Sequence, residues 1–260
     1  MESWSSAARY EPYVGRWSRM VAPRFLAWLG HPGGLRWLDV GCGTGALTGA
    51  ILDTASPVHV LGVDRTADYV AFARSEVRDG RAAFEVGDAA ALPVDDGAFD
   101  VAVSGLVLNF VPDPLAAVVE MRRALTAGGE IAAYLWDYAG GMEFLRRFWD
   151  AATTLDPAAE SLDQGQRFPL CAPGPLEELF EAARLERIEV MAIDIETRFR
   201  DFDDFWLPFL GGQGSAPAYV AGLDAGRQSA LREHLRGTLA AASDGSISMT
   251  ARAWAVRGRR

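Results

Sequence analysis

The chain contains no lysine; all 25 of its basic residues are arginine. Chemistry that depends on a lysine amine is therefore excluded, both the phosphate grip of a P-loop and Schiff-base catalysis. Cysteine is almost as scarce, with only Cys42 and Cys171. Cys42 falls inside a glycine turn, which argues against a structural disulfide and suits a reducing, cytoplasmic setting. Positive charge is in deficit, with a net charge of −10. A general nucleic-acid binder needs a positive face, so none is expected. The short basic tail of Arg257, Arg259 and Arg260 reads as a solvated terminus. No apolar run reaches the ~18 residues of a membrane span. The first residues, with Glu2, Arg9 and Glu11, lack the apolar core of a signal peptide. No membrane partner and no metal site are expected.

What is present begins with Leu38-Asp39-Val40-Gly41-Cys42-Gly43-Thr44-Gly45. Arg36 to Val40 reads as a buried strand, and the stretch from Ala46 reads as a helix start. Strand, glycine turn and helix make a nucleotide cradle. Glycines allow the backbone to turn tightly and to approach a ligand closely. The helix N-terminus offers unpaired N–H groups.

Around that stretch, residues 19–29 carry one apolar face at helical spacing, and strands then alternate with helices. Strands are expected at 36–40, 58–64, 82–86, 99–104 and 130–136, with helices at 66–77 and 113–125. Asp113 before Pro114 is a plausible cap for the second of these, and Gly128-Gly129 are expected to close it. Beyond it come a helix at 142–154, a proline-bearing loop at 156–174 and a helix at 175–183. A long strand follows at 187–199, with Ile188, Val190, Ala192 and Ile193 as its candidate core. Residues 201–242 read as an aromatic and then helical insertion before a last strand at 246–256. The alternation predicts an α/β fold with a parallel sheet covered on both faces.

Two cofactor classes use such a turn. Gly41-x-Gly43-x-x-Ala46 matches the dinucleotide form, and Gly41-x-Gly43-x-Gly45 matches the form that holds S-adenosylmethionine. Asp64, at the end of the second strand, suits two ribose hydroxyls because a carboxylate only accepts. Both classes want that residue; its plain alternative is a helix cap. Asp88, at the end of the third strand, suits the exocyclic amine of an adenine and leans toward the second class.

The run Leu38 to Gly45, then Gly62-Val63-Asp64, Gly87-Asp88-Ala89, Phe99-Asp100-Val101 and Asn109-Phe110-Val111-Pro112-Asp113-Pro114, resembles the class I S-adenosylmethionine-dependent methyltransferases. It is most similar to their UbiE-like, type 11 branch, over roughly residues 36–137. The resemblance implies a Rossmann-like, doubly wound seven-stranded sheet with its last strand antiparallel. It implies one domain over 1–260, with an N-terminal helix or lid at 1–35 and a cofactor half at 36–137. An acceptor-side half at 138–260 would carry the insertion at about 200–245. It implies S-adenosylmethionine as cofactor. Asp39, Gly41, Cys42, Gly43 and Gly45 would lie along the methionine part, Asp64 on the ribose and Arg65 beside the adenine. Gly87, Asp88 and Ala89 would read the adenine edge, and Ser104 to Leu106 would meet the amino group.

The acceptor side is less defined. The implied partner is a small-molecule methyl acceptor; the oligomeric state is not readable. Many relatives carry a histidine pair where this chain has Asn109-Phe110. Asn109 would position an acceptor rather than take its proton, or is a plain loop residue. Asp137 is a candidate base, and Trp136 and Tyr138 are candidate acceptor walls, with packing as the alternative. Tyr10, Arg16 and Trp17 belong to a lid or to a packed helix, and Trp206 to an acceptor cover or to core. His59 reads as structural and His234 as surface. The rival readings are a cofactor-binding protein without turnover and an NAD(P)-dependent oxidoreductase.

Overall fold

The computed structural model describes residues 11–211 and 214–260. Seven strands form one sheet in the order β3-β2-β1-β4-β5-β7-β6. They are β1 (Arg36–Val40), β2 (His59–Asp64), β3 (Ala82–Val86), β4 (Phe99–Gly105), β5 (Leu125–Trp136), β6 (Glu186–Phe199) and β7 (Ile247–Arg259). The strands sit where the alternation placed them because β1, β2 and β4 are near-continuous apolar runs. Trp37, Leu38, Val40, Val60, Leu61, Val63 and Val101 to Val103 are all buried, as befits parallel strands covered on both faces. β7 runs against β5: the Arg260 amide donates to Gly129, and the Asp137 amide donates to Arg252. The last strand is thus antiparallel, as the resemblance implied.

The described residues divide into two compact units. The larger holds residues 18–135, 170–193 and 253–260. Its β1 pairs in parallel with β2, from Arg36 opposite His59 to Val40 opposite Val63. β1 also pairs with β4, β2 with β3, and β4 with β5, all in parallel. Helix α1 (Arg16–Leu29) turns its apolar face inward, and Phe25 lies 4.7 Å from the Tyr134 ring of β5. Helix α2 (Ala46–Thr54) follows the glycine turn, and α3 (Ala67–Glu76) follows β2. Helix α4 (Pro114–Ala124) starts as expected, its Asp113 carboxylate accepting the Ala116 amide at 2.9 Å.

Gly128 and Gly129 do not close α4; they lie inside β5, which begins at Leu125. Phe99 pairs with Leu125 but Val101 pairs with Glu130, so β5 bulges between them. Gly128 holds φ at 77°, and a Cβ on Gly129 would stand 2.9 Å from the Asp100 carbonyl oxygen. The pair serves the bulge. A glycine doublet between apolar runs signals either event, and sequence does not separate them.

The second unit holds residues 11–17, 136–169 and 194–252. It contains α5 (Glu143–Leu155), the short α6 (Gln164–Arg167) and the insertion helices α8 (Phe202–Trp206), α9 (Ser215–Gly222) and α10 (Ala225–Thr238); α7 (Pro173–Ala182) belongs to the larger unit. The expected loop at 156–174 is in fact largely helical. Asp156 and Asp163 cap a 3-10 turn at Pro157–Leu162 and then α6, accepting the amides of Ala158 and Gly165. The Asp-Pro pair at 156–157 carries the same start signal as Asp113-Pro114. The core of this unit is aromatic. Phe209 touches the rings of Tyr13, Phe144, Phe148, Phe205 and Trp206, and stacks on Phe148 at 4.5 Å.

On β6 the burial follows the expected core only in part. Ile193, Ile195, Thr197 and Phe199 are buried, whereas Ile188, Val190 and Ala192 are only half-buried. The parity shifts at Ala192–Ile193, so β6 exchanges its inner face part-way along.

Candidate nucleotide cradle

The cradle is built by backbone. Gly41, Gly43 and Gly45 hold φ at 75°, 51° and 83°. A side chain in this left-handed region is strained, which is why glycine occupies all three positions. A Cβ on Gly41 would also fall 2.5 Å from the Val107 side chain, which follows β4. The Gly41 and Cys42 amides both donate to the Val63 carbonyl, at 2.7 and 3.1 Å. Gly45 then caps α2 with no side chain, so the first helical turn has no side-chain acceptor from its cap.

Because β1 and β2 run parallel in register, Asp64 arrives beside the turn. Its Oδ2 accepts the Gly43 amide at 3.0 Å and its Oδ1 accepts the Thr66 amide at 2.8 Å. Its own carbonyl accepts the Gly87 amide, so the end of β3 joins the same edge. Asp88 is exposed there, its Oδ1 holding the Ala90 amide at 2.9 Å, and Ala89 is half-buried beside it. Arg65 is exposed after β2. On the β4 side, Ser104 is buried and its hydroxyl has no hydrogen-bond partner among the described residues. Leu106 adopts φ 62° and donates its amide to the Tyr134 carbonyl. The Asn109 Nδ2 is buried without a hydrogen-bond partner.

Asp39 lies at the root of the cradle, 1% exposed. Its Oδ2 accepts the Thr48 hydroxyl at 2.6 Å, and its Oδ1 has no hydrogen-bond partner. Burial pushes its carboxyl up to about 7; the Thr48 hydrogen bond opposes this and the Asp64 charge adds to it. Burial, with the Asp39 and Asp64 charges, also pushes the Cys42 thiol up, so it is no thiolate nucleophile. Thr48 and Val107 had no mark in the sequence. Thr48 is visible only once α2 is folded back onto β1, and Val107 only once β4 is paired with β1.

The remaining candidates lie in the second unit or outside the described residues, as Tyr10 does. Asp137 is buried and accepts the Gly140 amide at 2.9 Å, tying a turn. Trp136 and Tyr138 flank it, both buried, with Tyr138 5.6 Å from the Phe168 ring. Trp17 meets the Phe199 ring edge-on at 5.4 Å. Arg16 donates to Asp204 Oδ1 at 3.0 Å, with its guanidinium 4.4 Å above the Trp17 ring and 4.9 Å from that of Phe199. Trp206 packs against Phe209. His31 bonds Glu130 Oε1 at 3.1 Å, and His59 begins β2. Among the described residues no cluster of His, Cys, Asp and Glu is arranged to hold a metal, and no helix is long and apolar enough to cross a membrane.

A family model described as a methyltransferase domain matches residues 38–133, the span from β1 through β5 that builds this cradle. Residues 38–133 are thus similar to a methyltransferase domain. A relative of the domain is the ubiquinone/menaquinone biosynthesis C-methyltransferase of Geobacter sp. (strain M21), 34% identical over 121 residues, covering 45% of this chain and 50% of that protein. The chain spans half or less of the length of the first curated relatives it matches. Two solved structures share the methyltransferase fold over nearly the whole chain. One is Haemonchus contortus phosphoethanolamine N-methyltransferase 2 in complex with S-adenosyl-L-methionine, at TM-score 0.56 and 17% identity, covering 94% of this chain and 52% of that one. The other is the [4+2]-cyclase SpnF, at TM-score 0.54 and 22% identity, covering 98% and 83%.

Proposed function

We propose that the chain is an S-adenosylmethionine-dependent methyltransferase acting on a small molecule. One observation carries this reading: three glycines in left-handed geometry open the N-terminus of α2 beside an aspartate fixed by the turn itself. The cradle fits a nucleoside with an amino-acid tail. Gly41 and Gly43 keep side chains out of the groove, and the first turn of α2 offers amide donors to a carboxylate. Asp64 retains acceptor capacity after binding two amides, enough for a pair of ribose hydroxyls. In this reading Asp88 and Ala89 meet the adenine edge, Leu106 the ammonium group, and Asp39 the amino-acid end. Arg65, Cys42, Gly45, Gly87 and Ser104 complete the proposed lining. When bound, the cofactor supplies a methyl group on a sulfonium, already activated for displacement. The protein's work in this reading is to orient the acceptor and exclude water.

In the same reading the whole chain works as one domain, with residues 138–260 recognising the acceptor. The related C-methyltransferase named above supports a small-molecule acceptor. A second reading is favoured by one feature. Asn109-Phe110 stands where the resemblance implies a histidine pair, and His31 is held by Glu130. The cofactor would then be bound without methyl transfer; the cyclase SpnF shows that the fold is compatible with other chemistry.

The test is calorimetric titration with S-adenosylhomocysteine and with NAD(P), followed by mass analysis of a quinol, phenol and amine panel incubated with S-adenosylmethionine. The expected outcome is binding of the nucleoside alone and a methyl mass gain on one acceptor class. Asp64→Ala should weaken nucleoside binding by about 1–3 kcal/mol, the cost of unpaired hydroxyls. Binding of NAD(P) in preference overturns the reading, and nucleoside binding with no mass gain favours the second one.

A further inference from the structure

Asp39 is a buried acid that the displacement itself does not use. One oxygen is held by the Thr48 hydroxyl; the other has no hydrogen-bond partner among the described residues. No arginine or histidine among the described residues forms an ion pair with it. The groups around it are of the wrong kind to stabilise a negative charge. β2 brings a second carboxylate, Asp64, and the turn brings the neutral Cys42 thiol. From α2 comes only the Thr48 hydroxyl, and β4 sets Val103 opposite it. On α1, Arg19 and Arg24 are exposed, while Val21, Phe25 and Leu26 are buried. A buried carboxylate with one hydroxyl for solvation and a like charge for a neighbour is costly, so the proton stays on.

Resting on the cofactor reading above, we propose that Asp39 is a neutral acid in the free protein and gives its proton to solvent when the cofactor's ammonium group arrives, so that cofactor capture is proton-linked. The incoming cation supplies the counter-charge that the protein withholds. The acidic proton leaves to buffer, the Thr48 hydroxyl remains a donor to Oδ2, and no covalent bond to the cofactor is made. The orphaned Oδ1 is the acceptor held in reserve.

The test titrates the full chain with S-adenosylhomocysteine, which keeps the ammonium group, in two buffers of different ionisation enthalpy at matched pH. With the free acid titrating at about 7, the wild type should release most of a proton at about pH 6 and little at about pH 8.5. Its affinity should rise about tenfold between pH 6 and 8, the mass-action cost of removing that proton. Asp39→Asn cannot ionise, so it should bind with neither the proton release nor this rise. Ionisation of the ammonium group itself is common to both proteins and cancels in the difference. A second reading needs no ligand. The folded protein keeps a proton that the unfolded chain loses near pH 4, so wild-type stability relative to Asp39→Asn should fall as pH climbs from about 4 to about 7. A wild-type binding enthalpy independent of buffer, or equal release by Asp39→Asn, overturns the proposal alone. Absence of any S-adenosylhomocysteine binding by wild type overturns the cofactor reading together with it. Should Asp39→Asn not fold, the buffer dependence of the wild type decides by itself.

Discussion

The glycine turn and the aromatic insertion solve opposite problems. In the turn, function is assigned to the backbone: amides and the space left by missing side chains form the surface, and three residues hold a φ that suits glycine. In the insertion, rings bury one another, and Phe209 alone meets five of them. The first arrangement accepts few residue types at each position. The second accepts many, because apolar cores tolerate exchange when volume is kept. A site made of backbone therefore writes itself into the sequence, and a packed aromatic region does not.

The comparison can be broken from the insertion side first, where the largest effect lies. Phe209→Ala removes a ring at the centre of the cluster and should cost about 3–5 kcal/mol of stability. S-adenosylhomocysteine affinity, measured below the melting transition, should change by less than about threefold if the turn binds independently. Denaturant melts and calorimetry read the two quantities separately. An equal loss in both would mean that the insertion shapes the cradle.

From the other side, Gly41→Val puts a β-branched residue at φ 75° and its Cβ into the Val107 side chain. The strain and overlap should cost about 2–4 kcal/mol of stability. Here nucleoside affinity should fall as well, because the same atoms form the groove. Retained affinity in a folded Gly41→Val protein would show that the turn is scaffold rather than site.

What was readable follows the same division. The strands β1, β2 and β4 were legible as apolar runs, and Asp64 as the residue that ends β2. Asp113-Pro114 announces α4, whereas the like pair Asp156-Pro157 is masked by the prolines that follow it. Gly128-Gly129 was misplaced because a bulge and a helix stop share the same residues; only the pairing of Phe99 with Leu125 distinguishes them. On β6 both faces carry apolar residues, so alternation alone does not mark the parity shift at Ala192–Ile193. Thr48 and Val107 could not be found at all. Their meaning arises from helix-on-strand and strand-on-strand contact, and neither residue type is unusual where it stands.

The smallest expected effect tests the N-terminal segment of the aromatic unit, which joins the comparison as an intermediate case. Arg16 is part-exposed, yet it meets Asp204 and covers two rings. Burial raises the Asp204 carboxyl, but the Arg200 amide and the Arg16 guanidinium outweigh it and hold the group below the usual carboxylate range. A depressed acid stabilises the fold above its unfolded value near 4, and that contribution is lost as pH falls through the folded one. Arg16→Gln should thus cost about 1 kcal/mol at neutral pH, part of it lost ring cover, and should flatten the acid limb of the stability curve. Melting curves between about pH 2 and 7 measure both. Should the acid limb be unchanged, Arg200, through its amide and its guanidinium, holds Asp204, and Arg16 acts through its stacking. The N-terminal segment would then belong with the packed rings rather than with any charge-set device.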